Sequence, residues 1–371
     1  MSLEPFLSII VPFHDSAETC GPLLDVLARL DGSDGVELIF VDDGSTDSTP
    51  ELLRDFASRS STPVHIAERC RGGPGAARNT GLDHATGKFV WFVDSDDTIS
   101  LAAVEFARQS GWPDVDLVVW DWDHPRIVQR LAPGLHSTGG TPAPPEVLDP
   151  IVCNWFSLSF LRRTRLRFPE FTFYEATPIE SFVLPLLLER YLKVDFIAYR
   201  ANTMSPSITR GSSKLAPHRF DCLHTIPLGM AFVDRAALDD PQRARFEAAF
   251  IRSFLWYVVA IPPFPGRAWL RTLRVMRQCR DEATRFRLTA NPLNFYPGGR
   301  RSRLAARLLW ALSAALPSQQ GYFKRLRERV WAHPIVWEPP IMADAYRKPN
   351  VTPPPRTTGG EGTNLAVVAD S

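Results

Sequence analysis

The pattern of apolar and polar positions changes period repeatedly along the first hundred residues. Continuous apolar runs rich in β-branched and aromatic residues alternate with stretches in which apolar residues recur at helical spacing. The predicted strands are residues 6–13, 36–41, 64–67 and 89–93, and the predicted helices are residues 17–30, 50–58 and 75–85. This alternation predicts a doubly wound α/β sheet whose strands are covered on both faces.

Beyond residue 100 the pattern is less regular. The further predictions are a strand at 116–122, a loop rich in proline and glycine at 132–150, a helix at 181–191 and a strand at 192–198. From about residue 216 the spacing is mostly helical, and seven prolines fall within the last 39 residues. We therefore expect an α/β domain at 1–215, a mainly helical, Arg-rich domain at 216–332 and a mobile, Pro-rich tail at 333–371.

Length and composition exclude several classes of protein. The chain has 371 residues, of which 44% are hydrophobic and 22% charged, and these fractions exclude a wholly disordered protein. No uninterrupted apolar run approaches the ~18 residues of a membrane-spanning helix. The five cysteines form no C-x-x-C pair, and the first residues lack the basic segment of a secretory signal. These features predict a cytoplasmic protein.

Two acidic clusters directly follow predicted strands, where ligands of parallel α/β sheets bind. Asp42 and Asp43 follow the second strand, and Asp94, Asp96 and Asp97 follow the fourth. On extended backbone Asp94 and Asp96 project to the same side, and two carboxylates that close repel each other unless a cation lies between them. The pattern favours a Mg²⁺ or Mn²⁺ site completed by substrate phosphates. The alternative is a turn in which Asp97 caps the next helix.

A glycine-rich segment at residues 71–79 leads into the third predicted helix. Such an entry offers backbone N–H groups to phosphate, and Arg78 lies one turn inside the helix, where it adds a cation. The dinucleotide-binding fingerprint requires glycine at the position of Arg78, so a nicotinamide or flavin cofactor is not expected.

Four motifs, in order and spacing, resemble the bacterial family 2 glycosyltransferases with the GT-A fold. They are SIIVPFHD at 8–15, VDDGSTDST at 41–49, GPGAARNTGLDHATGKFVWFVDSDD at 73–97 and RFPEFTFYEATPIESF at 167–182. The resemblance extends over about residues 6–210. It implies an inverting transferase that uses Mn²⁺ or Mg²⁺ and takes a nucleotide-sugar donor, usually UDP-linked. The implied acceptor is a polysaccharide, cell-wall or lipid-linked glycan.

The resemblance also implies roles for individual residues. The implied nucleotide-sugar-binding residues are Pro12, Phe13, Asp15, Asp42, Asp43, Arg78, Asp94 and Ser95. Within this set, Asp43 contacts the base, Arg78 reaches the base or the diphosphate, and Asp94 meets the ribose. Asp96 holds the metal that bridges the diphosphate. Asp15 stands where the family usually has asparagine.

The chain departs from the family at the general base. The family commonly carries a Glu-Asp pair after an aromatic residue, and its aspartate is taken to deprotonate the acceptor hydroxyl. This chain has Glu175 followed by Ala176. The expected substitutes are Glu175 or Glu180, with Asp121 or Asp123 as the other choice, since any carboxylate within reach of the acceptor can act as a base. Glu175 also suits a purely structural place at a helix N-terminus.

This departure leaves two other functions open. A nucleotide-sugar-binding protein with lost or weakened turnover would keep the donor site without the base. A nucleotidyltransferase can have a similar fold, and it would release pyrophosphate from a nucleoside triphosphate.

Charge is distributed unevenly along the chain. Residues 267–329 carry fifteen Lys or Arg and three acids, a net charge of +12, whereas the rest of the chain sums to −11. Within this region, residues 300–316 form a predicted basic amphipathic helix, which is typical of peripheral contact with an anionic membrane. The alternative is a helix that docks on the acidic catalytic half. Nucleic acid is not an expected partner, because aromatic residues are not interleaved with the basic ones.

Overall fold

A computed structural model describes the first half of the chain almost continuously and the second half at scattered positions. The described residues are 5–30, 32, 35–107, 112–123, 131–139, 150–170, 175–176, 178–180, 184–202, 273, 277, 280–281, 307–308 and 310–317. Most of the predicted helical domain at 216–332, and the whole of the predicted tail at 333–371, therefore lie outside the described residues.

The centre of the α/β domain is a mixed β-sheet. Its strands are β1 Leu7–Phe13, β2 Val36–Asp42, β3 Val64–Glu68, β4 Phe89–Phe92, β5 Thr98–Ile99, β6 Leu117–Asp123, β7 Gly134–Ser137, β8 Asn154–Ser157 and β9 Arg190–Arg200. They lie in the order β3-β2-β1-β4-β8-β6-β9-β5, and β7 also pairs with β9. Strands β1 to β4 are parallel, whereas β8 is antiparallel to both of its neighbours. This mixed α/β sheet confirms the predicted fold class.

Helices lie between the strands along the chain. They are α1 Gly21–Leu27, α2 Thr49–Arg59, α3 Pro74–His84, α4 Leu101–Ala107, α5 Leu158–Thr164 and α6 Leu184–Leu187. Prolines lie in the first turn of α1, α2 and α3, where the missing N–H costs no hydrogen bond. The helix predicted at 17–30 is shorter in the structure, because the chain enters it through a turn and begins α1 at Gly21.

Two sequence predictions after residue 130 are wrong. The segment predicted as a loop at 132–150 contains β7, an edge strand in which His136 stacks on Tyr191 of β9 at 4.9 Å between ring centroids. The helix predicted at 181–191 ends early, since β9 already begins at Arg190. The physical reason is Asp116, whose carboxylate accepts hydrogen bonds from the backbone N–H groups of Glu189 and Arg190 at 2.8 and 3.1 Å and draws them into the sheet.

Aromatic side chains fill the core where β4, β8 and β6 lie side by side. Trp155 is fully buried and lies 4.8 Å from Trp120 and 5.6 Å from Trp91 between ring centroids. Phe6 and Phe89 pack on the same cluster. Burial of such large side chains stabilises this part of the sheet, and it fixes β4, whose end carries the second acidic cluster.

In the C-terminal region, two of the described arginines contact the segment at residues 310–314. Arg277 donates to the carbonyl of Ala314 at 2.8 Å, and Arg280 donates to the carbonyl of Trp310 at 3.1 Å. These arginines satisfy carbonyl groups near the end of the helical residues 310–313. Among the residues that the structure describes, no helix combines the length and apolar character that crossing a membrane requires.

Candidate functional site

Three loops meet at one edge of the sheet, because β1 lies between β2 and β4 and all three run in the same direction. We call residues 14–16, 42–46 and 94–97 the carboxyl edge. Hydrogen bonds join its loops: the hydroxyl oxygens of Ser16 and Ser95 are 3.0 Å apart, and His14 Nδ1 lies 3.0 Å from the carbonyl oxygen of Asp43. The two acidic clusters predicted from the sequence are therefore brought to the same place.

Asp15 shapes the turn that follows β2. Its backbone has a φ of 46°, in the left-handed region that aspartate and asparagine adopt more readily than other non-glycine residues. Its carboxylate accepts a hydrogen bond from Thr46 N at 2.7 Å, and its N–H donates to Ser45 Oγ at 3.0 Å. The Thr46 bond and nearby His14 lower the pKa of Asp15, although slight burial opposes them. Aspartate thus fits a position that the family usually fills with asparagine.

The two residues predicted to line the nucleotide pocket, Pro12 and Phe13, differ in how deeply they are buried. Phe13 is buried and packs edge-on against Phe40 at 5.2 Å, so in this structure its ring belongs to the core, and its role beside the nucleotide stays a prediction. Pro12 is half-buried at the end of β1. Ser95 is half-buried and contacts Ser16 on the neighbouring loop.

Asp42 and Asp43 are both buried and bonded to nearby backbone. Asp42 accepts from Ser45 N at 3.2 Å. Asp43 accepts from Gly72 N at 2.9 Å and Gly73 N at 2.7 Å, and it pairs with Arg69. Burial raises the pKa of Asp43, and the pairing with Arg69 and the two N–H groups oppose this.

These contacts correct one interpretation of the glycine-rich segment. The sequence predicts that this segment offers backbone N–H groups to phosphate, but those of Gly72 and Gly73 both donate to Asp43. Their role in this structure is to attach the segment to the end of β2. Gly73 has a φ of 88°, which glycine adopts without strain, and this turn allows the two successive N–H groups to reach one carboxylate.

Arg78 is buried on α3 between two carboxylates. It donates to Asp94 Oδ1 at 2.6 Å and to Glu175 Oε1, and its guanidinium lies over the ring of Phe168 at 5.6 Å. Burial works against its charge, yet Glu175 and Asp94 together raise the pKa of Arg78 above its ordinary value. Its predicted contact with the donor base or diphosphate stays a prediction, and in this structure the side chain is directed to Asp94 and Glu175.

Both predicted general bases are engaged with the protein. Glu175 is buried and its Oε1 pairs with Arg78, while Glu180 Oε1 accepts from Ile151 N at 2.8 Å. Burial raises the pKa of Glu175, and Arg78 opposes this. Of the other choices, Asp121 pairs with buried Lys193 at 2.6 Å, and Asp123 is exposed at the end of β6. The base role of each carboxylate stays a prediction.

In the second acidic cluster, the carboxylate of Asp97 is hydrogen-bonded to other residues of the protein. Asp97 is buried and accepts from the hydroxyl of Tyr199 and from Asn202 N at 2.6 Å. Burial, with the negative charges of Asp94 and Asp96 adding to it, raises the pKa of Asp97 to about 7. Asp94 and Asp96 are only half-buried, so they are the carboxylates of this cluster that face the opening of the carboxyl edge.

The residues present fit a divalent cation that is shared with a substrate. Among the described residues no group of three or more His, Cys, Asp or Glu side chains is arranged to hold a metal by itself. Mg²⁺ and Mn²⁺ commonly take one or two carboxylates and complete their shell with water and phosphate oxygens. Asp96 beside Asp94, both half-buried, matches that smaller donor set.

Several residues of the site were missed by sequence reasoning. Tyr199 reaches Asp97 because β9 pairs with β5, and Phe168 reaches Arg78 because Asn79 holds the loop that carries it. Arg69 covers Asp43 from the loop after β3. No local pattern marks these residues, since each meets its partner through the fold.

Comparisons with known proteins agree with this architecture. Residues 8–106 match the family model described as glycosyl transferase family 2, which confirms the resemblance drawn from the motifs. An uncharacterized glycosyltransferase, EpsJ of Bacillus subtilis, is 38% identical over 98 residues, which are 26% of this chain and 28% of that protein. The poly(ribitol-phosphate) β-N-acetylglucosaminyltransferase TarS of Staphylococcus aureus is 40% identical over 94 residues, 25% of this chain and 16% of that protein. The chain thus spans less than a third of the length of either relative.

Solved structures of S. aureus TarS share the fold over most of the chain. One crystal structure superposes with a TM-score of 0.61 at 19% identity, covering 88% of this chain and 55% of that one. A structure of TarS residues 1–349 in complex with UDP gives a TM-score of 0.60 at 19% identity, covering 88% of this chain and 91% of that one. These likenesses confirm the predicted GT-A type of sheet.

Proposed function

We propose, from the premise that residues 8–106 belong to glycosyl transferase family 2, that the protein is a glycosyltransferase. It would move a sugar from a nucleotide-diphosphate donor to a hydroxyl of a polysaccharide, cell-wall or lipid-linked acceptor. The observation that carries this proposal is the carboxyl edge within the matched segment, where the loop with half-buried Asp94 and Asp96 is joined through residues 14–16 to the loop of Asp43. Such an edge is where nucleotides bind in open α/β sheets.

The nucleotide of the donor is proposed to be UDP. The support is the fold shared with TarS residues 1–349, whose structures include complexes with UDP and with UDP-GlcNAc. In this chain the base would lie near Pro12, His14 and Asp43, and the ribose near Asp94 and Ser95. The hydrogen bonds between the loops hold these groups in place before a ligand arrives, which lowers the entropy cost of binding.

A divalent cation, Mn²⁺ or Mg²⁺, is proposed to be held by Asp96 together with phosphate oxygens of the donor. When bound, it neutralises the negative charge that develops on the departing diphosphate, so the leaving group needs no proton. The protein's own contribution is to present Asp96 on a short loop whose neighbour Asp97 is fixed by Tyr199 and Asn202. That anchoring restricts the orientations available to Asp96.

The transfer itself is proposed to invert the anomeric centre. The acceptor oxygen forms a bond to the anomeric carbon as the bond to the diphosphate breaks, and a carboxylate takes the acceptor proton. Asp123 is the most exposed of the candidate bases, whereas Glu175, Glu180 and Asp121 are each bonded to another group of the protein. Ala176 supplies no proton acceptor at the position of the family's aspartate.

Ala176 also favours a second candidate function. With alanine at 176, the protein would bind a nucleotide sugar with little or no turnover. A screen of nucleotide sugars with Mn²⁺ tests both functions, because a bound donor raises the melting temperature, and a tighter-binding donor raises it more at the same concentration. Release of nucleoside diphosphate from the stabilising donor supports the transferase, whereas stabilisation without release supports the binding protein. Pyrophosphate release from a nucleoside triphosphate would indicate a nucleotidyltransferase instead.

Ala176→Asp is expected to increase the rate of sugar transfer if the base position is the missing element. A restored general base typically contributes about 10²-fold or more to the rate. The measurement is nucleoside diphosphate release with the donor found in the screen and a mixed glycan acceptor. Ala176→Asn is the matched control, because it has nearly the same size and cannot accept the proton. Equal rates for the two variants would show that position 176 carries no base function.

The basic C-terminal region is proposed to place the protein at the inner, cytoplasmic face of an anionic membrane, near a lipid-linked acceptor. The support is its charge together with Leu308 and Leu312, which are 58% and 39% exposed. Co-sedimentation with vesicles containing anionic lipid is expected at low salt and should weaken as salt screens the arginines. Absence of co-sedimentation at low salt would favour docking of this region on the acidic catalytic half.

A further inference from the structure

We propose that Glu175 and Arg78 are positioning residues: Glu175 fixes Arg78, and Arg78 fixes Asp94 in the orientation that meets the donor. This inference rests on the proposed function and assigns Glu175 a role other than that of general base. The three residues form a continuous line of contacts, from Glu175 through the guanidinium of Arg78 to Asp94 at the carboxyl edge.

Exposure increases along this line from the interior to the opening. The side chains of Glu175 and Arg78 are 7% and 5% exposed, whereas that of Asp94 is 39% exposed. Of these three side chains, only that of Asp94 is therefore accessible to a ligand. A residue that contacts neither solvent nor an open face acts on the donor through its neighbour, and for Glu175 that neighbour is Arg78.

The hydrogen bonds make Arg78 and Glu175 dependent on each other. One terminal nitrogen of the guanidinium donates to Glu175 Oε1, and the other donates to Asp94 Oδ1. Among the described residues, Glu175 Oε2 and Arg78 Nε are buried without a hydrogen-bond partner. The planar guanidinium has a fixed geometry, so the bond on one side determines how the other side is directed.

The packing around α3 shows how the chain brings Glu175 to this place. Asn79 donates to the carbonyl of Phe168 at 2.9 Å and accepts from Phe168 N at 2.8 Å, which holds the preceding loop on the helix. A Cβ on Gly75 would collide with the carbonyl oxygen of Pro169 and lie 3.0 Å from Glu175 Cβ. Glycine at 75 and asparagine at 79 therefore allow Glu175 to pass close over the first turn of α3.

The positioning role and the base role predict different measurements. A base acts on the acceptor hydroxyl, so its loss lowers the transfer rate and leaves donor affinity unchanged. A positioning residue for Asp94 affects the nucleotide, so its loss lowers nucleotide affinity even when no acceptor is present. Calorimetric titration of UDP in the presence of Mn²⁺ measures that affinity directly.

Glu175→Gln keeps an oxygen that can accept from Arg78 but removes the charge that pairs with the guanidinium, so UDP binding is expected to weaken roughly tenfold, about the difference between a charged and a neutral hydrogen bond. Glu170→Gln is the matched control, since Glu170 lies on the same loop and accepts from Asn79 through an oxygen that glutamine retains. In the Asp94→Asn background, Glu175→Gln should cause no further loss, because its effect passes through Asp94.

Glu175→Asp provides a second variant in case the glutamine protein fails to fold. Aspartate keeps the negative charge on a side chain that is one methylene shorter, so UDP binding should weaken less than in Glu175→Gln. Unchanged UDP affinity in both variants with a loss of transfer would overturn the inference in favour of the base role. Losses that multiply in the Asp94→Asn background, or tighter binding in Glu175→Gln, would overturn it as well. If the wild-type protein binds neither UDP nor another nucleoside diphosphate, the proposed function fails and this inference fails with it.

Discussion

Asp96→Asn is expected to weaken Mn²⁺-dependent UDP binding at least about a hundredfold while the protein stays folded. Asparagine keeps a carbonyl oxygen in nearly the same position but removes the negative charge, and hard divalent cations bind carboxylates far better than amides. Asp96 is half-buried on a loop rather than in the core, so the substitution should have little effect on the free energy of unfolding. Calorimetric titration of UDP with Mn²⁺ and with EDTA measures the metal-dependent part.

Asp195→Asn is the matched control for this prediction. Asp195 is an exposed aspartate of β9 outside the carboxyl edge, and its replacement removes the same charge from the same sheet. UDP affinity in this variant should equal that of the wild-type protein. An Asp96→Asn protein that binds UDP as tightly as the wild type, with the same response to Mn²⁺, would remove Asp96 from the metal site.

The stability of the metal-free protein is expected to fall as pH rises from about 4 to about 7, because of Asp97. The pKa of Asp97 is raised from 3.8 to about 7 in the folded protein, first by burial and then by the charges of Asp94 and Asp96. In this interval the folded state keeps a proton that the unfolded state has released, so the free energy of unfolding decreases as the pH rises. Above about pH 8 the titration of Asp97 changes it no further. The contribution of this one group is about 4 kcal/mol.

Asp97→Asn should remove most of this contribution, because asparagine stays neutral at every pH. The measurement is urea unfolding in EDTA at several values between pH 5 and pH 8, comparing wild type and variant. Asp25→Asn, on the exposed side of α1, is the control and should keep the wild-type dependence. Parallel pH profiles for the wild-type and Asp97→Asn proteins would show that Asp97 titrates normally in the folded state.

The first half of the fold could be predicted from local patterns for a physical reason. The strands predicted at 6–13, 36–41 and 89–93 agree with β1, β2 and β4 within one residue at either end, because strands covered on both faces must be apolar throughout. The edge strand β7 has no such requirement. Its four residues alternate in exposure and need only β9 as a partner, so composition alone indicated a loop.

The site was predictable only in part for a related reason. Strand ends placed Asp43, Asp94 and Asp96 at one edge without knowledge of the loops. Which carboxylates serve the protein itself depends on partners distant in the chain: Arg78 meets Glu175, 97 residues away, and Asp97 meets Tyr199, 102 residues away. Spacing along the sequence carries no information about such contacts, so the ion pair between Glu175 and Arg78 could not be predicted from it.

The most direct measurement for the whole account is a crystal of this protein soaked with MnCl₂ and UDP, with anomalous diffraction used to locate manganese. A single strong manganese peak is expected at about 2.1 Å from a carboxylate oxygen of Asp96, with phosphate oxygens of UDP on its other side. Clear density for UDP at the carboxyl edge without manganese beside Asp96, or manganese bound elsewhere, would contradict it.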